Sequence, residues 1–80
     1  MEIKVKLFAN LRERITPKPG IGEPVVINLD NQSTIADLII KLGFPADDVS
    51  IIFINGVHQE RNFELTDGTT VSMFPPSGGG

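Results

Sequence analysis

The sequence predicts a single α+β domain: a mixed sheet of four or five strands with one main helix packed on one face. Three observations lead there. The first seven residues after Met1 alternate strictly, a capped apolar stripe lies between Thr34 and Gly43, and two further strand signals flank an Asn55-Gly56 turn and stop at Pro75-Pro76. Eighty residues suffice for one domain and no more. A chain of that size buries only a little over ~60% of its unfolded surface. With no cysteine to staple it, the fold must rest on the 40% of residues that are hydrophobic.

The elements follow in order. In Glu2-Ile3-Lys4-Val5-Lys6-Leu7-Phe8, the residues Ile3, Val5 and Leu7 share one face, as in a half-buried strand. Residues 9–15 have room for a turn or two of helix, with Leu11 and Ile15 at i, i+4 pointing inward. Pro17, Pro19, Gly20, Gly22 and Pro24 mark a loop, after which Val25, Ile27 and Leu29 alternate as a second strand paired with the first. Thr34 can cap the Asp37 amide while Asp37 reaches back, which predicts the start of a helix over Ile35 to Leu42. Its stripe is Ile35, Leu38, Ile39 and Leu42; Gly43 supplies a left-handed stop and Pro45 blocks continuation. Ile51-Ile52-Phe53-Ile54 reads as a strand, Asn55-Gly56 as a hairpin turn and Val57-His58 as a short return strand. Residues 62–65 are ambiguous, and Asp67-Gly68 is a second turn. Residues 69–74 form the last strand, which the prolines end. The arrangement favoured has the first and last strands central and parallel.

Charge and composition exclude several functions. Seven Lys and Arg against ten Asp and Glu give a formal net charge of −3, which does not recommend a nucleic-acid partner. Lys4, Lys6, Arg12, Arg14 and Lys18 do crowd the first eighteen residues; the ordinary reading is a solvated strand face and turn, the sharper one a patch for an acidic partner. The start, Met1-Glu2-Ile3-Lys4, is not that of a signal peptide, and the longest apolar run, Ile51–Ile54, is too short for a membrane span. A cytoplasmic location is the expectation. His58 is the only histidine and lacks metal-spaced partners, Asp47-Asp48 reads as a turn, and the glycines match neither a P-loop nor a dinucleotide fingerprint. No metal and no bound cofactor are expected, and the chain does not read as an enzyme by itself.

Two features remain. Strand Ile51–Ile54 is apolar on both faces, more than one helix can cover, and Phe74 is out of phase with Val71 and Met73, so Phe53 and Phe74 are expected in an exposed partner-binding patch. The other feature is the ending Ser77-Gly78-Gly79-Gly80 directly after Phe74-Pro75-Pro76. A Pro-Pro pair would project the last four residues away from the sheet, and glycines make the thinnest possible chain. Such a segment can thread a narrow partner site and present a carboxylate inside it.

These residues resemble the MoaD/ThiS sulfur-carrier proteins, small members of the ubiquitin-like β-grasp fold. The resemblance covers nearly the whole chain: Leu7-Phe8-Ala9-Asn10-Leu11-Arg12-Glu13, Thr34-Ile35-Ala36-Asp37-Leu38, Asn55-Gly56, Leu65-Thr66-Asp67-Gly68-Thr69-Thr70-Val71, and Phe74-Pro75-Pro76 with terminal Gly79-Gly80. The Phe-Pro-Pro pattern two residues before Gly-Gly resembles MoaD, the small subunit of molybdopterin synthase, more than ThiS. Ser77 and Gly78 depart from the usual MoaD tail, which carries an apolar and a small residue there.

The resemblance implies a β-grasp domain over residues 1–76 and a flexible C-terminal glycine tail over 77–80. It implies that Gly80 carries the reactive carboxylate, that Ser77, Gly78 and Gly79 thread the partner's site, and that Phe53, Phe74, Pro75 and Pro76 bind partners. An ionised carboxylate is a poor electrophile. The implied partner is therefore a MoeB/ThiF-like adenylyltransferase that uses ATP to make an acyl-adenylate at Gly80. A persulfide sulfur donor then yields the thiocarboxylate, and a large MoaE-like synthase subunit receives its sulfur for molybdopterin, the molybdenum or tungsten cofactor's organic part. Delivery to thiamine thiazole or cysteine, attachment to lysines as a ubiquitin-like modifier, and a binding module with an incidental tail stay open as alternatives.

Overall fold

A computed structural model describes residues 1–76. Five strands form one mixed sheet: β1 (Glu2–Leu7), β2 (Val25–Asn28), β3 (Ile51–Ile54), β4 (Val57–His58) and β5 (Thr70–Phe74). Their order is β2-β1-β5-β3-β4. The first and last strands lie side by side in parallel, as expected, with Val5 opposite Val71 and Leu7 opposite Met73. The other pairings, β1–β2, β3–β5 and β3–β4, are antiparallel.

The one α-helix among the described residues, α1 (Ile35–Leu42), keeps the expected bounds because both of its ends are specified chemically. Thr34 Oγ1 accepts from the Asp37 amide at 3.3 Å, and the Asp37 carboxylate accepts from the Thr34 amide at 2.9 Å, closing the capping box. At the other end Gly43 adopts φ 83° and the Phe44 amide donates to the Ile39 carbonyl at 3.2 Å. The Gly43 amide donates to Ile40, completing a Schellman motif whose apolar member, Phe44, is buried.

Ile35, Leu38 and Ile39 of α1 pack onto the odd-phase residues of the sheet, Ile3, Val5, Leu7, Val71 and Met73. Even-numbered Ile52 and Ile54 join them, because β3 pairs antiparallel with β5 and sets Ile52 opposite Met73 and Ile54 opposite Val71. Leu11, Phe44, Val49 and Leu65 close the core from three connections: β1 to β2, α1 to β3, and β4 to β5.

Two expectations are refined and one ambiguity is resolved. Residues 9–15 form a 3₁₀ segment, Ala9–Arg14, rather than α-helix; Leu11 is buried there, whereas Ile15 is only half-buried. A turn fixed at one end by the β1 exit and at the other by Pro17 leaves too few residues for an α-helical ladder. Strand β1 ends at Leu7 and β5 begins at Thr70, each one residue inside its expected bound. The ambiguous residues 62–65 form no strand beyond a single bridge, Thr34–Glu64; their task is to close the start of α1. The Ile35 amide donates to Phe63 at 3.1 Å, Ala36 to Arg61 at 2.9 Å, and Leu65 returns a bond to Ser33 at 2.8 Å. Together with Thr34, this segment satisfies the donors that a helix start leaves free.

Candidate functional site

Among the described residues no α-helix covers the face of the sheet away from α1, and the strand registers fix what it displays. Crossing β1, β5, β3 and β4, one row reads Lys6, Ser72, Phe53, His58. The next row, towards the end where β5 finishes, sets Phe74 opposite Ile51, with the Phe8 ring against Phe74. Lys4 and Thr70 lie one row the other way.

The aromatic rings on this face form a connected cluster. Phe8 and Phe74 stack with centroids 4.4 Å apart and an interplanar angle of 9°. Phe53 meets Phe74 edge-on at 5.9 Å, and His58 meets Phe53 edge-on at 6.1 Å. These are the offset and T-shaped arrangements that the ring quadrupole favours. Phe8, Phe53 and Phe74 remain half-buried, while Ile51 beside them keeps 42% of its surface. Phe53 and Phe74 are thus brought together as the alternation implied.

Phe8 is the member that the sequence reading missed. It belongs to the phase of Lys4 and Lys6, opposite to Ile3, Val5 and Leu7, and the period-two count that reached it read that phase as a solvated face. His58 is exposed, in line with a hairpin residue; its backbone pairs with Phe53 in the ladder and its ring meets the Phe53 ring edge-on.

The cluster sits where the chain leaves the sheet. The Phe74 carbonyl accepts from Ser50 at 2.8 Å, and the Met73 carbonyl accepts from Phe8 at 3.2 Å, so the end of β5 is held from both sides. Pro75 is half-buried and Pro76 exposed. Two short segments rim this end: Ala9–Arg14 after β1, and a 3₁₀ turn, Ala46–Asp48, before β3. An exposed ion pair between Arg14 and Asp48 ties them together. The expected roles of Ser77, Gly78, Gly79 and Gly80 lie outside the described residues. Among the described residues, no group of three or more His, Asp or Glu side chains is placed to hold a metal, and no helix is long and apolar enough to cross a membrane.

The model of the ThiS family matches residues 5–80. The chain belongs to the ThiS family. Solved structures agree on the architecture of this ThiS-family chain. A Pyrococcus furiosus protein assigned as molybdopterin converting factor, subunit 1, is similar at 28% identity and a TM-score of 0.72, over 96% of this chain and 99% of that one. The Haloferax volcanii HVO 2177 protein is similar at 25% identity and a TM-score of 0.76, over 100% of this chain and 87% of that one. Haloferax volcanii small archaeal modifier protein 1 shares the fold at 21% identity and a TM-score of 0.72, over 95% and 98% of the two chains. No curated protein sequence is a significant match. The fold is therefore the ubiquitin-like β-grasp that the sequence implied.

Proposed function

We propose that this ThiS-family chain is a sulfur carrier whose Gly80 carboxylate is activated and thiolated by partner enzymes, with molybdopterin as the product served. The observation that carries the reading is the continuity of the aromatic face with the exit of β5: Phe74 belongs to the Phe8–Phe53 cluster and is followed at once by Pro75-Pro76 and the glycines. A partner that grips the face is thereby positioned at the root of the tail. Four residues beyond Pro76 reach at most roughly 14 Å, enough to enter a site in a partner seated on that face.

The chemistry divides between carrier and partners. A MoeB/ThiF-like adenylyltransferase lets a Gly80 carboxylate oxygen attack the α-phosphorus of ATP, with pyrophosphate as the leaving group. A persulfide donor displaces AMP from the acyl-adenylate, and reduction of the resulting acyl disulfide by a thiol leaves the thiocarboxylate. A large MoaE-like subunit then receives the sulfur. Acid-base groups are supplied by those partners; this chain contributes the aromatic face, the Lys4 and Lys6 charges beside it, and the carboxylate. Molybdopterin is favoured over thiamine thiazole or cysteine by the Phe74-Pro75-Pro76 pattern and by the assigned role of the Pyrococcus relative. The chain is on this reading a non-catalytic subunit that binds no cofactor of its own.

The test is incubation of the purified protein with ATP, the adenylyltransferase of the same organism and a sulfide source, followed by intact-mass measurement. Replacement of one oxygen by sulfur, lost when Gly79 and Gly80 are deleted, is the expected result. Conjugates on lysines in place of a thiocarboxylate would assign the chain to protein modification instead.

A further inference from the structure

At the other side of the molecule, β2 is an edge strand, and among the described residues no strand pairs with its outer side. The Met1 ammonium donates to the Leu29 carbonyl and the Leu29 amide donates back to Met1 at 2.9 Å, so Met1 and Leu29 form a hydrogen-bonded pair of the β1–β2 ladder. Alternation along an antiparallel ladder then makes Ile3–Ile27 and Val5–Val25 the next such pairs. The backbone N–H and C=O groups of Val26 and Asn28 consequently face outward, away from β1. Such a row is a template for another strand, and proteins ordinarily blunt it with lysine, proline or a bulge. Residues 25–29, Val-Val-Ile-Asn-Leu, contain none of these.

A groove of about 380 Å³ runs alongside, between the end of β2 and α1. Its walls include Asn28, Leu29 and Asp30 on one side and Asp37, Ile40 and Lys41 on the other. Ile40 is 73% exposed, and Val26, on the opposite face of the edge, 52%. A strand added to β2 would place alternate side chains over this groove, against Leu29 and Ile40, and the others beside Val26.

Charge selects the occupant. The edge is bounded by Glu23 before it and Asp30 after it, the groove adds Asp37 against Lys41, and Lys4 stands across the ladder from Val26, so the acids outnumber the cations at the edge and its groove. A second copy pairing antiparallel through Val26 and Asn28 would set Asp30 of each chain against the Glu23-Pro24 corner of the other, acid beside acid, and Pro24 offers no N–H. We propose that the β2 edge and the adjoining groove bind an extended segment of another protein, apolar at alternate positions and basic at its ends, by strand addition. The groove lies at the β1 start of the sheet, whereas β5 and its aromatic cluster finish at the β1 end, so both surfaces can be occupied together.

The experiment titrates the ¹⁵N-labelled full chain with the blocked peptide Lys-Val-Thr-Ile-Val-Lys and, separately, with Glu-Val-Thr-Ile-Val-Glu. The expected result is shifts centred on Val26 and Asn28, slowed hydrogen exchange at those two amides, and binding of the basic peptide at least about threefold tighter at low salt. Asp30→Lys should reverse that preference. Asn28→Pro removes an outward donor while sparing the β1 ladder, and should weaken both peptides about tenfold with the circular-dichroism spectrum unchanged. Shifts confined to the aromatic face, equal affinity for the two peptides, no binding at millimolar peptide, or a dimer in sedimentation that protects the same amides would each overturn the proposal. None of these readouts depends on Gly80, so the sulfur-carrier reading stands or falls separately.

Discussion

The stacked pair Phe8–Phe74 can be tested by a double-mutant cycle. Phe74 is half-buried, so Phe74→Ala forfeits about half the transfer free energy of a buried phenylalanine, roughly 1–1.5 kcal/mol. It also removes two ring–ring contacts, at 4.4 and 5.9 Å, each contributing about 0.5–1.5 kcal/mol beyond area. The expected loss is therefore about 2–4 kcal/mol, a large share of the ~5–15 kcal/mol available to a small domain. Phe8→Ala removes one ring contact and should cost about 1–3 kcal/mol. The double mutant should be more stable than the sum of the single losses implies, by a coupling of roughly 1 kcal/mol, because the shared stack is counted only once. Urea unfolding followed by circular dichroism supplies all four stabilities, provided the slope stays constant across the set. A coupling below about 0.3 kcal/mol would show that the rings act independently, and the picture of a connected aromatic face would be wrong.

Other perturbations separate architecture from partner recognition. Thr34→Ala removes the side-chain acceptor of the capping box and should cost about 1 kcal/mol, read as a Tm fall of roughly 4–8 °C. Gly56→Ala forces a side chain into a left-handed residue, φ 78°, beside Asn55 at φ 53°, and should cost about 1–2 kcal/mol in urea unfolding. Ile51→Asp lies outside the ring stack at a partly exposed site; stability should change by no more than about 0.5–1 kcal/mol, while the rate of thiocarboxylate formation falls at least tenfold. An unchanged rate in that variant would remove the open face from partner recognition.

Much of this arrangement was readable beforehand, and the reasons are local. The helix bounds held because each end of α1 has its own chemical signal, Thr34 with Asp37 and Gly43 with Phe44. The β3–β4 hairpin held because Asn55 and Gly56 both tolerate positive φ. The parallel β1–β5 pairing joins residues more than sixty apart, and no periodicity reports it; the order of the elements favoured it without proving it. Residues 61–65 were opaque for another reason. Their carbonyls serve the amides of α1, and a backbone carbonyl looks the same in every residue type. At the candidate site, the alternation of β3 and β5 revealed Phe53 and Phe74, but Phe8 was counted on the face of Lys4 and Lys6, and those charges marked that face as solvated.

The place of β5 has a further consequence for the supply of usable carrier. This last strand is flanked by β1 and β3 on its two sides, and its Val71 and Met73 are fully enclosed in the core. A chain cut short before residue 70 would lack the middle of the sheet, leaving β1 with β2 separated from β3 with β4. Hairpins of that size do not persist alone in water. The segment that leads to the glycines is thus also the one that completes folding, so synthesis cannot release a folded domain without the strand that bears the tail. Chains that end before β5 would be left to proteolysis instead of persisting as folded domains without a tail.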